Sequence, residues 1–273
     1  MSSVFDCRDA DQLLTGMRHA RQAIGRGELI VLPTDTVYGV GADAFDPAAV
    51  QRLLDAKGRG RNQPPPVLIG NAATLSALVE SVPEPVQRLV DEFWPGGLTI
   101  VLPAQPSLVW DLGDTHGTVA VRMPEMRVAL ELLEETGPLA VSSANLTGQD
   151  AAVEVGAAER MLGDSVAVYL DNGPSATGVA STIVDATSLV RPGGEDAKVR
   201  VLRDGAVSRD ELRRVLGDLL EEPATPGAAV PADLQAASEQ PTDAEAPEMS
   251  GTSASSPATP EPSATPDEPE GPA

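Results

Sequence analysis

Lys57 and Arg59 stand two residues apart where a helical stretch gives way to a glycine-containing loop, so both cationic groups can converge on one anion. Arg presents a planar fork to phosphate oxygens and Lys a compact point charge. Ser143 and Asn145 alternate after the apolar run Leu139-Ala140-Val141, and in an extended chain their side chains share one face. Arg122 closes another apolar run, where a guanidinium needs either a carboxylate of the protein or a carboxylate ligand. Upstream, Thr34-Asp35-Thr36 sets two hydroxyls around one carboxylate. Each group also has a plainer reading: a solvated basic loop for Lys57, Arg59 and Arg61, and turns that satisfy their own backbone for the two hydroxyl-bearing segments. Together they describe a polar pocket at strand ends, lined with cations and suited to an anionic substrate.

The elements that must hold these residues follow from periodicity. Leu29-Ile30-Val31-Leu32 is a strand buried on both faces, and Pro33 ends its ladder and releases the chain into the Thr34–Thr36 loop. Gly39 and Gly41 beyond it are expected to let backbone approach a ligand. Asp9 and Gln12 have the spacing of a capping box before a helix whose stripe is Leu13, Met17, Ala20 and Ile24. Further helices are predicted over 47–57, 72–79, 84–93, 125–135, 153–161 and 209–219. Strands are predicted over 67–69, 98–102, 118–123, 139–141, 166–170, 178–185 and 199–203. Ser143 is placed in the loop after the 139–141 strand, and the Lys57 to Pro66 segment is read as a mobile basic loop. The mixture lacks strict βαβ alternation, which points to an α/β fold with a mixed sheet and flanking helices.

Composition divides the 273 residues in two. From Glu221 onward there is no Lys, Arg or aromatic residue, and Pro, Ala, Ser, Thr and Glu dominate; such a segment is expected to be a disordered acidic tail, 221–273, behind one domain, 1–220. The tail holds 11 of the 41 acidic residues and none of the 19 basic ones, so the domain remains acidic at 30 against 19. That balance argues against broad electrostatic binding of nucleic acid. A single cysteine, Cys7, excludes an internal disulfide and a multi-cysteine metal site, and it reads as a half-buried strand residue. No signal pattern or long apolar run is present, so a cytoplasmic protein without membrane association is expected. The phosphate-binding Gly-rich loop with its Lys-Ser/Thr, the full dinucleotide fingerprint and the Gly-x-Ser-x-Gly elbow are all missing.

Six segments occur in an order that resembles the YrdC-like L-threonylcarbamoyl-AMP synthase family: Pro33-Thr34-Asp35-Thr36-Val37-Tyr38-Gly39, Lys57-x-Arg59, Trp94-Pro95-Gly96, Val121-Arg122-Met123-Pro124, Ser143-Ala144-Asn145 and Ser181-Thr182-Ile183. The resemblance covers about Asp9 to Leu216 and corresponds to the short, single-domain form. It implies a twisted mixed sheet bent around a deep cavity. It also implies a reaction in which L-threonine, bicarbonate and ATP give threonylcarbamoyl-adenylate and pyrophosphate, for modification of adenosine 37 in tRNAs that read codons beginning with A. By matching position, Lys57, Arg59, Ser143 and Asn145, with Gln63, Thr118 and Arg203, are expected to contact ATP, Lys57 and Arg59 being the catalytic pair. Thr34, Arg122 and Ser181 are expected to hold threonine, with Thr34 binding and Thr36 structural. Mg²⁺ would arrive with ATP, without protein ligands. Expected partners are the substrates, and tRNA and the threonylcarbamoyl-transferase proteins further along. The competing expectations are an RNA-binding or ribosome-associated module without synthase activity, and a carbamoyl-transfer relative acting on another acceptor. The Lys57 to Pro66 loop is a candidate lid.

Overall fold

The computed structural model describes residues 2–190 and 197–223. Ten strands form one sheet in the order β1-β8-β2-β3-β7-β4-β6-β5-β9-β10. They are β1 (Ser3–Asp6), β2 (Ile30–Leu32), β3 (Gly39–Asp43), β4 (Val67–Leu68), β5 (Leu98–Pro103), β6 (Thr118–Arg122), β7 (Leu139–Ser143), β8 (Val168–Asp171), β9 (Thr182–Asp185) and β10 (Arg200–Arg203). Four pairs are parallel (β1 with β8, β2 with β8, β4 with β6, β5 with β9) and the other five among the described residues are antiparallel, so the sheet is mixed, as expected. The expected acidic tail lies outside the described residues from 224 onward.

Helices α1 (Ala10–Gly25), α2 (Pro47–Lys57), α3 (Leu75–Leu78), α4 (Glu84–Phe93), α5 (Arg127–Thr136), α6 (Val155–Leu162) and α7 (Arg209–Leu216) flank the sheet. Their boundaries have local causes. Asp46 caps α2 by accepting from Ala48 and Ala49 N–H, Pro47 occupies its first turn, and Gly58 ends it at φ 62°, a left-handed conformation that favours glycine. That stop fixes Lys57 as the last helical residue and throws Arg59 back toward the sheet. At α1 the capping box is only half made: Asp9 accepts from Gln12 N–H, but the Gln12 side chain accepts from Asp6 N–H instead.

Two expectations are corrected. Ser143 belongs to β7, opposite Gly39, so the polar loop starts two residues later. Gly39 and Gly41 lie in β3, where side chains placed on them would come within 2.6 and 3.3 Å of Val141; their smallness serves the neighbouring strand and not a ligand. Cys7 lies just past β1 and is buried, and burial pushes its thiol up to about 12.

The sheet is strongly curled. In a flat sheet β2 and β6 would be four strand spacings of about 4.8 Å apart, roughly 19 Å. Yet Thr36 and Asp35, in the β2–β3 loop, hydrogen-bond Arg122 at the end of β6. Twist brings the two strands toward each other and the loop bridges what remains. Three apolar clusters hold this shape, around Trp94 and Leu98, around Met17 and Leu132, and around Tyr38 and Leu53.

Candidate active site

Two walls meet at the curl. The first is built by the end of α2 and the end of β7. The Lys57 side chain is buried, and its Nζ donates to the carbonyl oxygens of Ser143 and Asn145 (2.6 Å to the latter) and at 3.5 Å to Asn145 Oδ1. An ammonium has three hydrogens, so its donors are all used on the loop. Burial, and then the charge of Arg59, pull its pKa down to about 7. Asn145 directs its own amide to the Leu146 and Gln149 carbonyls and so holds the turn. Arg59 donates from Nη1 to Ser142 Oγ at 3.1 Å, while its Nε is buried without any hydrogen-bond partner. A buried guanidinium N–H left over in this way fits an anion that the protein itself does not provide.

The second wall is built by the β2–β3 loop, the end of β6 and the start of β9. Arg122 is buried and donates from Nε to the Gly96 carbonyl (2.8 Å), from Nη1 to Thr36 Oγ1 (2.8 Å) and from Nη2 to Asp35 Oδ1 (2.6 Å). Trp94 fixes the turn that presents Gly96, its indole N–H donating to the Leu98 carbonyl at 2.7 Å. Thr34 Oγ1 donates to the Val37 carbonyl at 2.6 Å and lies 3.0 Å from Thr36 Oγ1. Arg203 donates to the Ser181 carbonyl and, at 3.1 Å, to Ser181 Oγ, which in turn lies 2.8 Å from Thr99 Oγ1.

The walls are electrostatically one site. Arg203 is lowered by burial and then by the charges of Arg122 and Arg59, so the guanidiniums of the two walls act on one another electrostatically. Arg59 is lowered by burial, and so is Arg122, against the opposing pull of Asp35. Of the four basic groups only Arg122 hydrogen-bonds a carboxylate, Asp35; Lys57, Arg59 and Arg203 donate to the neutral acceptors Asn145 O, Ser142 Oγ and Ser181 O.

Of the residues expected from the sequence, Lys57, Arg59, Ser143 and Asn145 come together on the first wall, and Thr34, Arg122, Ser181 and Arg203 on the second. Thr118 lies at the opposite end of β6 from Arg122, on the edge that carries Ser143, with its hydroxyl donated to Thr115. Gln63 lies in the loop after Arg59, its N–H donated to the Gly60 carbonyl. Arg61 does not join: it turns outward onto Asp111 at 2.6 Å and Asp114 at 3.8 Å, which ties the supposed mobile loop to 111–114. The basic run is thus split between the site and an exposed ion pair. Sequence reasoning passed over Thr36 as a partner of Arg122, Asp35 as its counter-charge, and Ser142 beneath Arg59. The alternation that picked Ser143 and Asn145 skips Ser142 by construction. Two surface depressions, one lined by Ile69, Gly70, Asn71 and Leu133 and one by Lys198, Arg213 and Glu222, lie away from these cations. Neither brings buried charge to its surface in this way, and the cation cluster remains the better candidate.

A curled mixed α/β sheet that collects buried cations at loop ends defines a protein built to bind anionic ligands. The Sua5/YciO/YrdC family model, described as "Telomere recombination", matches residues 22–205, and the chain belongs to that family. It is 54% identical over 217 residues to a putative threonylcarbamoyl-AMP synthase of Mycobacterium leprae, covering 80% of this chain and 95% of the relative. It is 34% identical to the threonylcarbamoyl-AMP synthase of Bacillus subtilis, covering 80% of this chain and 64% of that protein. Among solved structures, Pyrococcus abyssi Sua5 complexed with L-threonine aligns with a TM-score of 0.71 at 31% identity, covering 85% of this chain; the chain spans 65% of the length of that protein. Escherichia coli YciO shares the fold, with a TM-score of 0.67 at 22% identity over 81% of this chain and all of the other.

Proposed function

We propose that this chain is a threonylcarbamoyl-AMP synthase, joining L-threonine, bicarbonate and ATP into L-threonylcarbamoyl-adenylate with release of pyrophosphate. The observation that carries this reading is the set of buried and half-buried cations Lys57, Arg59, Arg122 and Arg203, of which only Arg122 has a carboxylate partner, with a buried Arg59 N–H left over. Relatives at 54% and 34% identity bear the name of this activity, and a structure at 31% identity holds L-threonine.

Arg122 receives the threonine carboxylate. Three of its donor hydrogens are engaged, which leaves one on each terminal nitrogen, the pair that a carboxylate accepts in bidentate fashion. Ser181 and Thr34 line the same wall and meet the amino and hydroxyl groups. Arg59 and Arg203, with Gln63, Thr118, Ser143 and Asn145, receive the nucleotide and its phosphates. Lys57 acts through its grip on the Ser143–Asn145 turn and through its charge. The threonine amine and bicarbonate condense to a carbamate with loss of water; a carbamate oxygen then bonds to the α-phosphorus as the α–β phosphoric anhydride breaks and pyrophosphate leaves. No nucleophilic side chain is required, because fixed geometry and fixed charge lower the barrier. Among the described residues no group of three His, Cys, Asp or Glu could hold a metal ion. Mg²⁺ would arrive with ATP and would supply further charge neutralisation at the phosphates. The product is a labile acyl-type adenylate, consumed by threonylcarbamoyl transfer to adenosine 37 of tRNA. Residues 1–220 carry the activity, and 221–273 are dispensable for it.

The reading as an RNA-binding module has no observation in its favour, since the domain is acidic at 30 against 19. Among the described residues no helix is long and apolar enough to cross a membrane. Pyrophosphate release from ATP tests the proposal: it is expected to require both L-threonine and bicarbonate, and release independent of either would overturn it.

A further inference from the structure

Asp35 joins three segments of the chain at one point. Its Oδ1 accepts from Arg122 Nη2 at 2.6 Å and from Glu125 N–H at 2.9 Å, at the turn between β6 and α5. Its backbone carbonyl accepts from Thr177 N–H at 3.3 Å and from Thr177 Oγ1 at 3.2 Å, in the segment between β8 and β9. The residue is 9% exposed. The β2–β3 loop, the end of β6 and the β8–β9 loop therefore close around Arg122 through this residue.

We propose that Asp35 is a positioning residue that fixes the orientation of Arg122 and closes the β8–β9 loop beside it, so that recognition of an amino-acid carboxylate depends on it while recognition of the nucleotide does not. This rests on the assignment of Arg122 to the threonine carboxylate. Two facts give the inference its sign. Without Asp35, Arg122 keeps only neutral acceptors, Thr36 and the Gly96 carbonyl, and its two remaining N–H groups lose their fixed direction. Loss of the Asp35 carboxylate also makes the cluster more positive by one charge, which does not disfavour polyphosphate. Loss of Asp35 therefore weakens threonine and leaves the nucleotide unchanged or tighter, whereas general damage to the fold weakens both.

The test is isothermal titration of the full chain with L-threonine and, separately, with ATP, comparing wild type, D35N, D35E and T177V. D35N is expected to weaken threonine at least about tenfold, the scale of one charge-assisted hydrogen bond, and to leave ATP unchanged or tighter. D35E, which keeps the carboxylate, is expected to recover most of that loss. T177V keeps every charge and removes one of the two hydrogen bonds that tie the β8–β9 loop to Asp35, so a loss of about twofold to fivefold for threonine alone is expected, the scale of one neutral hydrogen bond; it also provides the test if D35N does not fold. Threonine affinity unchanged in D35N, or in T177V where D35N does not fold, would overturn the inference, as would equal weakening of both ligands. Wild type that binds no L-threonine would overturn the proposed role of the pocket, and this inference with it; wild type that binds while its variants bind equally well overturns only the role of Asp35.

Discussion

The two walls of the site hold their cations in opposite ways. On the second wall every nitrogen of Arg122 has a partner in the protein, a carbonyl, a hydroxyl and a carboxylate, and one N–H on each terminal nitrogen is left. On the first wall Lys57 faces carbonyl oxygens and no carboxylate, and Arg59 has one hydroxyl partner and a buried N–H with none. A pair made within the protein preorganises its cation and stabilises the fold. A cation left short of acceptors costs stability and is compensated only when an anion arrives. Under the proposed function, the contrast separates a wall that orients a small, weakly charged ligand from one that receives a polyphosphate.

Stability breaks the comparison most sharply. R122A leaves Asp35, whose side chain is 13% exposed, without its cation, and a cost of about 3–5 kcal/mol is expected. R59A removes one hydrogen bond together with an unsatisfied buried N–H, so its change is expected to stay within about 1 kcal/mol and to be of either sign. Urea denaturation of the two variants measures both; equal losses would erase the distinction between the walls.

A smaller effect sharpens it through pH. Lys57 has a folded-state pKa lowered to about 7 from an ordinary 10.5, chiefly by burial. Between those values the unfolded chain binds more protons than the folded one, so stability at this site rises with pH across that window and is flat below it. The slope is bounded by about 1.4 kcal/mol per pH unit, and the carbonyl oxygens that hold the ammonium reduce it. Comparison of wild type and K57M at pH 6, 8 and 10 is expected to show a steeper rise in wild type. A difference that does not change with pH would mean that Lys57 keeps its proton throughout.

Much of this site was legible in the sequence, and the portions that were not share a cause. Lys57, Arg59, Arg122 and Asn145 announce themselves because ionic and amide groups beside apolar runs demand partners. The bounds of α2 and α4 follow from Asp46, Pro47, Gly58 and Pro85, whose effects are local. Strand β3 was hidden because Gly39, Gly41 and Ala42 have weak strand propensity, and the two glycines admit Val141 from a strand a hundred residues away. The pairing of Arg122 with Asp35 was left open between an internal carboxylate and a ligand, since only the curl of the sheet brings β2 and β6 together. Arg61 was grouped with Lys57 and Arg59 by spacing, and the choice of Asp111 and Asp114 as its partners is a tertiary one. Periodicity reports what an element buries and is silent on what a distant loop brings to it.

The division of labour between the walls is tested most directly by titrating R59A and R122A with L-threonine and with ATP in separate experiments. The account predicts a crossed result. R122A should lose threonine by about a hundredfold, the scale of a truncated buried charge partner, and retain ATP, while R59A should lose ATP by about tenfold to a hundredfold and retain threonine. Two variants that weaken both ligands to the same extent would contradict it.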